Sequence, residues 1–130
     1  MKCLFDNCLP LKISNTLNFL EGKSGIEVIH LSEKFSPNTE DVEWMTTLGK
    51  EKDWFVISKD RKIKKSPQEL LAWKESKLPI VFLKKNWLDY QFWDLAWRIV
   101  KYWPEIKKNV KPNSQKSFIF GVNGKIEEIL

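Results

Sequence analysis

Trp54-Phe55-Val56-Ile57-Ser58, entered from Asp53 and left through Lys59-Asp60-Arg61, decides the fold. Four successive apolar residues without polar alternation describe a strand covered on both faces. Such a strand needs helices above and below it, and that in turn implies a largely parallel sheet. Working outward, three similar segments appear. Residues 2–5 end at Asp6-Asn7, residues 26–31 are rich in β-branched side chains, and residues 79–83 read Pro-Ile-Val-Phe-Leu.

Helical signals separate these runs. Leu9-Pro10 opens a helix, because proline suits the first helical position. Leu11, Ile13, Leu17 and Leu20 give it an apolar side, and Gly22 closes it. Ser36-Pro37-Asn38-Thr39 introduces a helix over residues 40–48, with Gly49 as its stop. Ser66-Pro67-Gln68-Glu69 has the form of a capping box for residues 67–75. Asn86 is the expected cap of a long helix, with Asp89 in its first turn. Along that helix Phe92, Trp93, Ala96, Trp97, Val100 and Trp103 recur at helical spacing, and Pro104 kinks or ends it. Phe118-Ile119-Phe120, Asn123-Gly124 and residues 125–130 predict a C-terminal hairpin. The alternation specifies a single domain over residues 1–130: a three-layer α/β/α fold with a central, mainly parallel sheet.

The 130 residues include 42% apolar and 13% aromatic side chains, enough for a packed core and too many for a disordered chain. No apolar run is long enough to span a bilayer, and the early Asp6 argues against a secretory leader. Cys3 and Cys8 read as reduced thiols, so the expected location is the cytoplasm, with no membrane association. A single histidine, His30, at the end of a strand, speaks for a structural role and against a zinc cluster. Twenty-two Lys and Arg against 17 acids leave a net charge of +5, which permits a polyanionic partner.

Ligands of open parallel sheets bind at the carboxyl ends of the strands. Asp6 follows the first strand, and Asp60 follows the third by two residues. Asp41 opens the helix after the second strand, so all three acids belong to one edge. Asp41, Met45 and Leu48 are spaced i, i+4, i+7, which turns Asp41 toward the apolar side of its helix. Glu43 is rotated away, and Asp53 belongs to the opposite edge. Three carboxylates at one edge repel one another unless a cation lies among them. All-oxygen donors suit Mg²⁺ or Mn²⁺, and such an ion at a phosphate makes phosphodiester hydrolysis the natural chemistry. Lys59, Arg61, Lys62, Lys64 and Lys65 surround Asp60, and Lys84 and Lys85 leave the fourth strand, placing cations where a nucleic-acid backbone would lie. Each piece has a plainer use: Asp6 and Asp60 shape turns, Asp41 and Glu43 complement a helix dipole, and the basic run is a solvated face. Only the joint placement of the acids points to a metal site. The tryptophan row reads as core or a dimer face.

Three stretches resemble the PIN-like ribonuclease domains, in particular the short branch related to VapC-type toxins of toxin–antitoxin systems. They are Leu4-Phe5-Asp6-Asn7-Cys8-Leu9-Pro10, then His30-Leu31 through Phe35 with Asp41-Val42-Glu43-Trp44, and Trp54 through Ile63. The resemblance implies a PIN-like fold and an Mg²⁺- or Mn²⁺-dependent endoribonuclease with Asp6, Asp41 and Asp60 as catalytic and metal-binding acids. Asn7 and Ser58 match the polar residues beside the first and third acids. It also implies an RNA substrate, a small antitoxin partner and a homodimer. Arg61-Lys62-Ile63-Lys64-Lys65 offers no fourth acid, leaving Glu43 as an auxiliary. That departure motivates a second reading, a non-catalytic RNA- or protein-binding module on the same fold. A phosphatase with an aspartyl intermediate fits less well, because Cys8 stands where its second acid belongs.

Overall fold

The computed structural model describes residues 1–59, 66–111, 114 and 116–129. Its strands are β1 (Lys2–Phe5), β2 (Glu27–His30), β3 (Trp54–Ser58), β4 (Ile80–Leu83), β5 (Ser117–Phe120) and β6 (Ile126–Ile129). Its α-helices are α1 (Leu11–Glu21), α2 (Leu31–Lys34), α3 (Asp41–Glu51), α4 (Pro67–Ser76) and α5 (Phe92–Asn109). One sheet orders the strands β2-β1-β3-β4-β5-β6. The first five run parallel, and β6 returns antiparallel beside β5 as the expected hairpin. Gly124, at φ 86°, makes its turn possible.

The pleat sends alternate residues to two cores. Cys3, Phe5, Phe55, Ile57, Val81 and Leu83 meet the buried residues of α1 and α5 on one face. Leu4, Trp54, Val56, Ile80 and Phe82 meet those of α3 and α4 on the other. Every residue of β3 is buried, as its apolar run requires. The chain thus forms a mixed α/β fold with a mostly parallel sheet between helical layers.

Two local expectations are corrected and two are narrowed. Gly49 does not end α3, which runs on to Glu51. It is instead where α3 touches α4: a Cβ there would stand 2.8 Å from the Ser76 carbonyl oxygen. Asn86 caps no long helix. Residues Lys85–Asp89 form a 3-10 turn, because Trp87 is drawn wholly into the core and its indole donates to the Phe120 carbonyl at 3.1 Å. The long helix starts only at Phe92, leaving Asp89 outside it. Of the two outcomes expected at Pro104, a kink or an end, the end does not occur: the residue lies inside α5 on its exposed side, and Trp103 and Ile106 anchor both flanks in the core. Finally, the buried row of α5 is Leu95, Ile99, Trp103 and Ile106. Of the tryptophans only Trp103 belongs to it, while Trp93 is 81% exposed and Trp97 about half. The short α2, which follows β2 directly, has no counterpart in the sequence reading.

Candidate functional site

The connection order places β1 between β2 and β3, with α1 on one face and α3 on the other. The crevice beyond the ends of β1 and β3 is therefore the switch point of the sheet, where open α/β folds bind their ligands. Asp6 occupies it. Its residue is 9% exposed, and its backbone N–H still donates to the Ile57 carbonyl at 3.0 Å, extending the pairing of β1 with β3.

Both carboxylate oxygens of Asp6 are oriented. Oδ1 accepts from the Asn7 N–H at 2.7 Å, and Oδ2 accepts from the Ser58 hydroxyl at 2.8 Å. Ser58 is fully buried at the end of β3, on the same side of the pleat as Trp54 and Val56. These two contacts fix the direction of the group.

Asp41 lies in the first turn of α3, half-buried, where the chain returns from β2 toward the same edge. Its Oδ1 accepts from the Trp44 indole at 2.9 Å. Trp44 is fully buried in the core between sheet and α3, so the bond draws Asp41 inward, as its spacing foretold. Glu43, in the same turn, is exposed. Asn7 is exposed apart from its backbone bond. Asp53 lies at the far edge, paired to the chain's amino group at 2.9 Å.

Asp60, Arg61, Lys62, Lys64 and Lys65 lie outside the described residues. Lys59, Lys84 and Lys85 are exposed at the carboxyl ends of β3 and β4. Among the described residues, no three His, Cys, Asp or Glu side chains are grouped as a metal would need. The donors that face the edge, the carboxylates of Asp6 and Asp41, are hard oxygens, the chemistry that fits Mg²⁺ or Mn²⁺.

Two residues at this edge carry contacts that the sequence did not announce. The Cys8 sulfur accepts from the Lys59 N–H at 3.4 Å. Burial, and then the charge of Asp6, push its thiol up to about 11. The His30 ring is buried with both nitrogens engaged, by Ser32 and by the Leu9 carbonyl. Neither contact leaves a local signal, since 51 and 21 residues separate the partners.

A family model described as a PIN-like domain matches residues 1–85, which include β1 to β4 and all three acids. Comparison with curated proteins and with solved structures returns no match.

Proposed function

The chain belongs to the PIN-like domain family, and from that premise we propose that it is a metal-dependent endoribonuclease. PIN domains are generally nucleases that use divalent metals. The observation that carries the proposal is the Asp6 carboxylate, buried at the sheet's switch point and aimed through both of its oxygens. In this reading Asp6, Asp41 and Asp60 hold Mg²⁺ or Mn²⁺. The ion supplies Lewis acidity toward the phosphate and the attacking water. Ser58 and Asn7 keep Asp6 in one orientation, and Trp44 does the same for Asp41. Lys59, Arg61, Lys62, Lys64, Lys65, Lys84 and Lys85 draw the RNA backbone to the edge, and Glu43 is an auxiliary acid.

The finer identity, the toxin of a cytoplasmic toxin–antitoxin pair, rests on the resemblance of the first-half motifs to that branch. The exposed aromatic side chains of α1 and α5, among them Phe19, Trp93 and Trp97, favour a protein partner, either a small antitoxin or a second copy. Among the described residues no helix is long and apolar enough to cross a membrane.

The test is cleavage of mixed RNA at low salt with Mn²⁺, Mg²⁺ or EDTA, beside Asp6→Asn and Asp60→Asn. We expect metal-dependent cleavage that both substitutions abolish while the fold survives. Cleavage that persists in both variants overturns the assignment. A folded wild type that cleaves with neither metal favours a binding module instead.

A further inference from the structure

We propose that His30 is a positioning residue for Asp6, its ring clamping the turn that carries this carboxylate to the end of β2. Asp6 opens a tight turn closed by the Leu9 N–H donating to the Asp6 carbonyl at 3.0 Å. Beyond the turn, Pro10 leads into α1. His30 is the last residue of β2 and stands opposite Phe5 in the register.

The hydrogen-bond geometry assigns the ring's tautomer. Nε2 lies 2.7 Å from the Leu9 carbonyl oxygen, which only accepts, so Nε2 carries the proton and donates. Nδ1 is then the acceptor for the Ser32 N–H at 3.1 Å and faces the Ser32 hydroxyl at 2.7 Å. The His30 N–H donates in turn to Glu33 at 2.9 Å, so Nδ1 and the backbone together cap α2. Capping needs no more than that, and asparagine is among the preferred residues for it. The second nitrogen does something a cap does not require. It reaches 21 residues back along the chain to a buried carbonyl at the end of the Asp6 turn.

Cys8 grips the same turn from the other side, through the Lys59 N–H just past β3. The turn at the end of the middle strand is thus held from both neighbours, β2 and β3. This fixes the approach of Asp6 to the Ser58 hydroxyl. The bearing on a bound cation rests on the nuclease reading; the clamp itself does not.

Two substitutions separate the ring's roles. His30→Asn places an acceptor where Nδ1 was and keeps the cap, but cannot reach Leu9. His30→Gln places a donor at the distance of Nε2 and gives up the cap. Iodoacetamide labelling read by mass spectrometry follows Cys8, while the fully buried Cys3 in β1 reports on global unfolding. We expect Cys8 to react about tenfold faster in His30→Asn with Cys3 still protected, and His30→Gln to restore the slow rate, since one buried hydrogen bond is at stake. Mn²⁺ affinity, read from free ion by electron paramagnetic resonance, should fall about tenfold in His30→Asn and recover in His30→Gln.

Equal Cys8 rates in wild type and His30→Asn overturn the clamp. If Cys3 also reacts in that variant, the wild-type ring decides by ¹⁵N NMR, its signals being unique to the chain's single histidine. A slowly exchanging Nε2–H supports the clamp, and an Nδ1–H tautomer overturns it. A wild type that binds no Mn²⁺ counts against the nuclease reading, and the Cys8 comparison still decides the clamp.

Discussion

At the scale of single residues, Ser58 has the clearest consequence. Its buried hydroxyl donates to Asp6 Oδ2 at 2.8 Å, so it sets the direction of a carboxylate that it does not replace. Partners that orient a metal-binding group are worth 10–100-fold in affinity or activity when removed, so in the proposed nuclease reading Ser58→Ala should lower both RNA cleavage and Mn²⁺ affinity about tenfold. The melting temperature should move little. Unchanged cleavage and Mn²⁺ titration would remove Ser58 from the site. The sequence identified Asp6 from its place after a strand and Asp41 from its place in a helix's first turn, while Ser58 came only through the resemblance to PIN-like domains. It was silent on the bonds between them, because Asp6 and Ser58 are 52 positions apart.

At the scale of elements, Gly49 and Glu21 show how helices are fitted to their neighbours. In an open helix, Gly→Ala gains about 1 kcal/mol. In α3 the added methyl would meet the Ser76 carbonyl oxygen at 2.8 Å and the Ser76 Cβ at 2.9 Å. Gly49→Ala should therefore cost about 1–3 kcal/mol in chemical denaturation. A more stable variant would refute the close contact of α3 with α4. Glu21 ends α1 and accepts from Trp103 at 2.8 Å and Lys107 at 2.7 Å, tying α1 to α5. Burial raises its proton affinity, but the bonds from Lys107 and Trp103 outweigh burial and hold the carboxyl below its ordinary value. Its stabilisation is therefore present above the unfolded value of about 4.3 and disappears as pH falls through the depressed folded value. Glu21→Gln should lose about 1–2 kcal/mol at neutral pH, and the loss should shrink below that range. Denaturation at neutral and strongly acid pH checks this, and an equal loss at both would exclude the ion pair as the cause. The two residues also mark what local reading missed. A glycine near a helix end signals a stop unless a second helix needs the space, and that second helix is invisible along the chain.

At the scale of the molecule, a net charge of +5 and a set of exposed lysines around an acidic crevice predict binding that depends on salt. Asp6→Asn protein in EDTA, which should bind without cutting, is the form to titrate. The logarithm of its affinity for single-stranded RNA should fall against the logarithm of salt with a slope of about −0.7 for each phosphate contacted. A flat response would take RNA away from this edge and leave a protein as the partner. The large-scale plan was legible because it is written in local patterns. Continuous apolar runs make buried strands, prolines and caps start helices, and their alternation leaves little but a parallel sheet between helical layers.

The sequence by itself determined the strands, most of the helices, their order, the hairpin and the edge to which Asp6 and Asp41 belong. Each follows from residues within a turn or two of one another. Only the tertiary structure decided that Leu95, Ile99, Trp103 and Ile106 face the core while Trp93 and Trp97 do not. It also joined Asp6 to Ser58, Cys8 to Lys59 and His30 to Leu9. The physical reason is the same in each case. Several faces of an aromatic helix satisfy the periodicity, and several polar partners satisfy a carboxylate or an imidazole. The choice among them is made by which surfaces the sheet brings together and which groups it removes from water.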